Sequence, residues 1–344
     1  MNTTAPPRWF DDVQPILDAV RILSPASFVF DGRVIDGDNQ PPASREDDFF
    51  DPDPLMSMLH RHLYGVFHAA PEPVDEAAGD LAEETFLAQL SAANRGRDRW
   101  DEGWRVVETL NGGAVVAEKQ HRSCRWDPGE FVSDDAPAKV KRDSIIAIRL
   151  RKESRSLQAG FYYAFGGGIV DGFDRLRSVR YYLNLTASGA APVVGLVTGA
   201  LGLRGIPFSF KCGNRPSGFG RRDSCVLYVA ARHAQVTHAV LRMLYPQLAP
   251  YLRPRVPFLT LRLADGLAFA EDPAGDDSFG GHRMRAVAEG LIAAHRTGRD
   301  DPDGRRALVL ERFSALRVDL EAPHLAAGAG DPFGLRRLRF EDDA

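Results

Sequence analysis

The chain has 344 residues, with 43 Lys and Arg against 47 Asp and Glu, and its formal net charge is −4 at pH 7. This slightly acidic balance argues against a general nucleic-acid-binding protein. Hydrophobic residues make up 44% and charged residues 26% of the chain, which excludes a largely disordered protein. No apolar run reaches the length of a membrane span and no secretory signal is recognised, so we predict a cytoplasmic protein without membrane association.

The sequence contains no recognisable motif for a metal site or a cofactor site. The three cysteines, Cys124, Cys212 and Cys225, have neither metal-ligand spacing nor a paired motif, so we expect reduced thiols and no metal. No P-loop motif occurs, and the glycines that begin at Gly166 lack the spacing of a dinucleotide-binding loop. We therefore predict no cofactor.

The first hundred residues are predicted to be an acidic and mainly helical region. They contain 18 acidic and 8 basic side chains. Hydrophobic periodicity predicts helices over about 9–23, 55–67 and 81–93, and the Asp31-Gly32 turn predicts a hairpin over 28–35. We expect this region, residues 1–100, to be a docking region rather than to take part in chemistry.

The remaining chain is predicted to contain a β-rich segment and then alternating helices and strands. From Trp104 the hydrophobic period is two, and the turn at Asn111-Gly112-Gly113 predicts a hairpin. The order of elements predicts an α+β fold, with a mixed sheet domain over 101–329 and a tail at 330–344. The predicted strands are 145–150, 161–165, 179–186, 208–212, 225–230 and 258–263, and the predicted helices are 192–203, 233–252, 282–295 and 304–320.

Strand periodicity predicts a cationic face on this sheet. Arg180 and Tyr182 project to one side of their strand, while Tyr181 and Leu183 point into the core. Lys211 lies opposite the two neighbouring Phe side chains of its own strand, and Arg222 lies near the start of the next strand. An ordinary solvated sheet face would show the same pattern.

A second cationic group is predicted where a helix begins near Ser278. Ser278 is a possible N-cap, and the exposed N–H groups that follow it favour an anion. Helical phase places Arg283 at the edge of the apolar face, whereas Arg285 points to the surface. His282 precedes the helix proper and is either structural or catalytic.

Several Arg and one Lys suit phosphate, because guanidinium groups pair with two oxygens and a neutral Lys can act as a base. A phosphate clamp and a base that need neither metal nor cofactor fit the β-elimination of phosphate from phosphoserine or phosphothreonine. The Lys would remove the α proton, and the cations would stabilise the enolate-like intermediate.

Five ordered blocks resemble the HopA-type family of bacterial type III effectors over roughly residues 104–294. The resemblance implies a fold shared with that family, some members of which act as lyases in class V lanthipeptide and thioamitide biosynthesis. There they act on a phosphorylated precursor peptide beside a separate aminoglycoside-phosphotransferase-like kinase. The blocks are Arg180-Tyr-Tyr-Leu-Asn-Leu, Ile206-Pro-Phe-Ser-Phe-Lys-Cys, Arg222-Asp-Ser-Cys-Val-Leu-Tyr-Val, Gly266-Leu-Ala-Phe-Ala-Glu-Asp-Pro and Ser278-Phe-Gly-Gly-His-Arg.

The family is in turn distantly similar to phosphothreonine lyases, and that resemblance implies roles for single residues. Lys211 would be the base, Arg180 would steady the enolate, and Arg222 and Arg283 would bind phosphate. Tyr182 stands where the lyases have a general-acid His, so the acid is Tyr182 or His282, or phosphate leaves unassisted. The resemblance thus leaves three possibilities for the group that protonates the departing phosphate: Tyr182, His282 or no protein group.

A second Lys-x-His pair, Lys119-Gln-His121, is predicted to be a strand-surface pair.

Two classes of function remain open at this point. As a lyase, the protein would convert phosphorylated Ser or Thr of the precursor into dehydroalanine or dehydrobutyrine. As a non-catalytic effector or adaptor, it would use the same surface to bind a host protein or an acidic peptide.

Overall fold

The structure is a computed structural model that describes residues 8–37, 49–73, 81–120, 122–133, 140–167, 177–273, 275, 277–328, 333–334 and 340. Over these residues the fold is α+β, as predicted, and it contains three antiparallel sheets. None of the described helices is both long and apolar enough to cross a membrane.

The N-terminal region begins with helix α1 (Arg8–Ala19), which leads directly into strand β1 (Val20–Ser24). β1 pairs with β2 (Ser27–Phe30), and β2 pairs with β3 (Arg33–Asp36) across the predicted Asp31-Gly32 turn. The predicted helix over 9–23 is wrong beyond Ala19. Val20 and Ile22 are buried while the residues after each of them are exposed, and this alternation belongs to a strand.

Two further helices complete the N-terminal region. Helix α2 (Pro54–Leu63) is capped by Asp53, whose Oδ1 accepts a hydrogen bond of 3.1 Å from the Leu55 N–H group. It continues into a turn of π-helix at Tyr64–His68. Helix α3 (Glu83–Ala93) ends this region.

A five-stranded antiparallel sheet follows, in the order β6-β5-β4-β8-β7. Its own small core contains Trp104, Val106 and Ile148. The predicted hairpin around Asn111-Gly112-Gly113 is confirmed, since β4 pairs with β5 there. The strands are β4 (Arg99–Thr109), β5 (Val115–Lys119), β6 (Arg122–Trp126), β7 (Phe131–Ser133) and β8 (Ile145–Leu150).

A seven-stranded antiparallel sheet forms the centre of the molecule, in the order β14-β15-β11-β13-β12-β10-β9. Its strands are β9 (Glu153–Ser154), β10 (Phe161–Gly166), β11 (Ser178–Leu183), β12 (Phe208–Gly213), β13 (Cys225–Ala230), β14 (Leu261–Ala264) and β15 (Leu267–Glu271). The associated helices are α4 (Ala190–Leu203), α5 (Ala234–Leu248), α6 (Phe279–Arg296) and α7 (Pro302–Ala315).

The two faces of this sheet belong to different cores. Tyr181, Phe210 and Leu227 pack with apolar residues of α4 and α5. Tyr182 and Val226 instead pack with apolar residues of α1, α2 and α6. The N-terminal helices therefore share a core with the sheet and cover part of one of its faces.

Two predictions in the second half needed correction. The strand predicted over 258–263 begins only at Leu261, and β15 was not predicted as a strand. All five residues of β15 are buried, so its sequence lacks the alternation that marks a half-exposed strand. The predicted tail, 330–344, lies mostly outside the described residues.

Candidate active site

Neighbouring strands bring polar side chains together on one face of the seven-stranded sheet. Arg180 on β11 lies opposite Tyr228 on β13, which in turn lies opposite Ser209 on β12. In the next row Tyr182 lies opposite Val226, which lies opposite Lys211. We call the face that carries Arg180, Tyr182, Ser209, Lys211 and Tyr228 the polar face. The strand phase predicted for Arg180, Tyr182 and Lys211 is confirmed by this register.

Lys211 is half-buried in an aromatic setting. Its Nζ lies 3.7 Å from the centroid of the Phe161 ring, which is a cation–π distance. Tyr163 is its cross-strand neighbour on β10. On the opposite side of the sheet, Phe208 and Phe210 are buried in the core. Lys211 is thus the amine of the polar face, and its setting is only partly open to water.

Arg180 is held as a cation by the groups around it. It forms an ion pair with Asp272, and the two side chains are 13% and 18% exposed. Its guanidinium carbon lies 5.0 Å from the centroid of the Tyr228 ring. Burial lowers the pKa of Arg180, but Tyr182, Tyr228 and Asp272 outweigh burial and raise it. Arg180 is therefore a permanent positive charge on the polar face, and Asp272 balances it.

Tyr182 is almost completely buried, with 2% of its surface exposed. Its hydroxyl is buried and lies next to the Arg180 side chain. Burial raises the pKa of Tyr182 above its ordinary value, although the nearby Arg180 acts in the opposite direction. This environment makes Tyr182 a weaker acid than a tyrosine in water.

His282 and Arg283 lie inside α6, which begins at Phe279, so the expectation that His282 precedes the helix was wrong. Ser278 caps the helix as predicted, with its Oγ accepting a bond of 3.1 Å from the Gly281 N–H group. The Arg283 Nη1 group contacts His282 Nδ1 at 2.7 Å. Burial, and secondarily Arg283, lower the pKa of His282 to about 4. At neutral pH the imidazole is therefore neutral and a poor proton donor.

Arg283 is only 1% exposed and bonds to backbone carbonyls. Its Nε donates to Pro323 O at 2.8 Å, and its Nη2 donates to Leu325 O at 2.6 Å. Burial lowers its pKa to about 10, although Tyr182 and Glu271 counter this effect. In this arrangement Arg283 joins α6 to residues 323–325, and phosphate would have to displace these carbonyls to bind it.

Arg222 lies in the turn before β13 and is also engaged within the chain. Its Nε donates to Glu72 Oε1 at 3.0 Å, and the Glu72 side chain is 7% exposed. Its backbone N–H donates to Ala69 O at 2.7 Å. The predicted phosphate ligand therefore contacts the acidic N-terminal region.

Three groups near the polar face were missed by sequence reasoning. His68, in the π-helical turn, lies 5.6 Å from Tyr182 between ring centroids. Asp223 is buried, accepts a bond of 2.7 Å from the Tyr64 hydroxyl, and pairs with Arg221. Asp272 is the third such group. Asp223 and Asp272 do have a sequence signal, because each lies in one of the blocks that carry the family resemblance, whereas His68 has none.

His68 is held in place by a close helix approach. A Cβ atom added at Gly280 would lie 2.2 Å from the His68 ring, so only glycine fits there. Burial lowers the pKa of His68 to about 4, and it is neutral at pH 7. The His68 Nδ1 atom is buried without a hydrogen-bond partner among the described residues.

The structure thus brings Arg180, Tyr182 and Lys211 to one face and places Arg222 and Arg283 at its margins. Lys119 of the second Lys-x-His pair lies in the five-stranded sheet and bonds to Asp101 at 2.8 Å, while His121 lies outside the described residues. No cluster of three or more His, Cys, Asp or Glu side chains that could hold a metal occurs in the described part of the chain. The polar face offers an amine, a fixed cation and several phenols for acid–base and anion chemistry.

The chain is similar to solved effector structures, and it matches a family of effector proteins. The chain is similar to an effector protein of Pseudomonas syringae pv. tomato strain DC3000, with 19% identity, coverage of 84% of this chain and 93% of the other, and a TM-score of 0.46. It is also similar to an effector protein of Pseudomonas syringae pv. syringae strain 61, with 14% identity, coverage of 80% and 91%, and a TM-score of 0.45. No curated protein matches. The HopA1 effector protein family matches residues 152–325, which is half of the chain, and the protein therefore belongs to that family.

Proposed function

We propose that the protein is a lyase that eliminates phosphate from phosphoserine or phosphothreonine of a ribosomally made precursor peptide. The observation that carries this proposal is the half-buried amine of Lys211 on the same sheet face as the fixed cation of Arg180. A base and an anion-stabilising cation are the two groups that removal of an α proton requires. A separate kinase would be needed to install the phosphate.

The reaction has a simple balance of bonds. The neutral Lys211 amine takes the proton from Cα, and the electrons of that C–H bond form the Cα=Cβ double bond. The Cβ–O bond breaks, and phosphate leaves with its electron pair. Arg180 would stabilise the negative charge that develops on the carbonyl oxygen during proton removal.

Departure of phosphate without a protein acid fits the site better than either acid candidate. Burial makes Tyr182 a weaker acid, and it leaves His282 neutral at pH 7. Phosphate has a second pKa near 6 and is a tolerable leaving group when cations neutralise it. We therefore propose Arg222 and Arg180 as the phosphate partners, whereas Arg283 holds α6 in place.

The alternative, a non-catalytic adaptor, is favoured by a specific observation. Arg180, Arg222 and Arg283 are each engaged by groups of the same chain, namely Asp272, Glu72 and two backbone carbonyls. Binding of phosphate at Arg180 or Arg222 would have to displace a carboxylate. An adaptor would bind its partner without such an exchange.

One experiment separates the two functions. The purified protein is incubated with a phosphothreonine peptide, and the product is examined by mass spectrometry. A lyase removes the elements of phosphoric acid and leaves a dehydrobutyrine that adds a thiol, whereas a phosphatase would restore threonine. Unchanged phosphopeptide after prolonged incubation would favour the adaptor.

A further inference from the structure

A short segment of the N-terminal region lies along the turn that precedes β13. We call this segment, residues 69–73, the strap. Pro71 forms an antiparallel bridge with Arg221. At the end of the strap, Arg253 Nη2 donates to Pro73 O at 2.7 Å. The strap is therefore tied to the rest of the chain both at its middle and at its end.

One residue of the strap is held in an unfavourable backbone conformation. Ala70 has a φ of +34° and is 1% exposed. A residue with a Cβ atom rarely adopts a positive φ, because its side chain then crowds the backbone carbonyl. Such strain persists only where the surrounding contacts enforce it, and it is concentrated at functional sites. The contacts of the strap thus impose its path, and this path determines where Glu72 lies.

The strap places a carboxylate directly on the predicted phosphate ligand. Arg222 Nε donates to Glu72 Oε1 at 3.0 Å, and the two side chains are 22% and 7% exposed. Partly buried charges are screened less by water and salt than exposed ones, so each strongly affects the other. A carboxylate and a phosphate use the same guanidinium donors, because Arg pairs with both kinds of anion. Glu72 thus contacts Arg222 in the way that a substrate phosphate would.

We propose that Glu72 is an autoinhibitory group that lowers the affinity of Arg222 for phosphate. This role rests on the proposed function, in which Arg222 binds the phosphate of the substrate. A phosphate that approaches Arg222 displaces the carboxylate or experiences its repulsion, and either effect raises the dissociation constant. A phosphate on a peptide offsets this cost through contacts along the peptide. Free phosphate makes no such contacts, so it leaves the site readily after elimination.

The test measures phosphopeptide binding by the full chain in a Lys211→Met background, so that the proposed elimination does not consume the peptide. The probe is a fluorescein-labelled phosphothreonine peptide, and its reference is the same peptide with unmodified threonine. Fluorescence anisotropy should show that Glu72→Gln tightens binding of the phosphopeptide by at least about fivefold. Binding of the reference peptide should not tighten, because it carries no phosphate.

Three further variants separate the ion pair from general effects of charge. Glu84→Gln removes the same charge from an exposed position on α3 and should leave phosphopeptide binding unchanged. Glu72→Gln/Arg222→Gln removes the cation as well and should lose the gain, because the group that Glu72→Gln releases is Arg222. Glu72→Asp keeps the charge on a shorter side chain and should tighten binding by about twofold, so it carries the test if Glu72→Gln does not fold.

The outcomes for Glu72 and for the lyase are separable. If neither Glu72→Gln nor Glu72→Asp binds the phosphopeptide more tightly than the Lys211→Met parent, the autoinhibitory role is overturned and the ion pair is a structural contact. A gain that persists in Glu72→Gln/Arg222→Gln would overturn it too. Failed elimination by the wild type, together with the Glu72→Gln gain in binding, would contradict the lyase alone.

Discussion

The two faces of the seven-stranded sheet come from the same strands and serve different purposes. On one face Tyr181, Phe210 and Leu227 are fully buried beneath α4 and α5. On the other, covering is uneven, since Tyr182 is buried beneath α6 and the N-terminal helices while Lys211 is half-buried. One face is therefore entirely apolar core, whereas the other combines apolar packing with partly buried charged groups.

The largest expected effect contrasts adjacent residues of β12. Phe210→Ala should lower the free energy of unfolding by about 3–5 kcal/mol, because it leaves a cavity in the apolar core. Ser209→Ala, on the polar face, should change it by less than about 0.5 kcal/mol. Urea denaturation of both variants checks the contrast. Similar losses of unfolding free energy would mean that the two side chains contribute equally to stability, against this account.

The next effect concerns the ion pair on the polar face. Asp272→Ala should lower the free energy of unfolding by about 2–4 kcal/mol, because it leaves the largely buried Arg180 without its carboxylate partner. The double variant Arg180→Met/Asp272→Leu should recover most of this loss, since it removes the unpaired charge. Denaturation curves of both variants provide the measurement. A double variant less stable than Asp272→Ala would show that the pair itself stabilises the fold.

A smaller effect follows from the buried His68 beside Tyr182. Its pKa falls from 6.5 to about 4 on folding because of burial, with Arg221 and Arg180 lowering it further and Asp223 opposing them. The unfolded chain thus binds the proton more tightly, so this stability is complete above pH 6.5 and is lost as the pH falls towards 4.

Between pH 7 and pH 5 this single group should cost about 2 kcal/mol of unfolding free energy. The unfolding free energy of His68→Gln should fall by correspondingly less between pH 7 and pH 5. Denaturation at the two pH values compares wild type and variant, and identical losses would rule out His68 as the group that titrates.

Sequence reasoning predicted the strands of the polar face well because their signal is local. Period-two alternation placed Tyr181 in the core and Arg180 opposite to it, and register confirmed this. It failed at β15, where burial on both sides removes alternation. Side-chain partners such as Glu72 for Arg222 depend on chain segments far apart in sequence, which no local pattern encodes.

The candidate site shows the same division between local and long-range information. The lysine and arginine on the strands could be named from their spacing and from the family blocks. The burial of Arg283 against the carbonyls of residues 323 and 325 could not, because helical phase puts Arg283 only at the edge of the apolar face. His68 likewise reaches Tyr182 only through the packing of α6 against the π-helical turn.

The central claim is that Lys211 is the base of a phosphate-eliminating site. The elimination rate of the Lys211→Met variant tests this claim most directly. The wild type and Lys141→Met, a variant of an exposed lysine outside the polar face, are assayed beside it on a phosphothreonine peptide by mass spectrometry. The proposal predicts that the wild type and Lys141→Met form dehydrobutyrine at similar rates, while Lys211→Met is slower by about 10²–10⁴ with an unchanged denaturation curve. Dehydrobutyrine formation by Lys211→Met at the wild-type rate would contradict it.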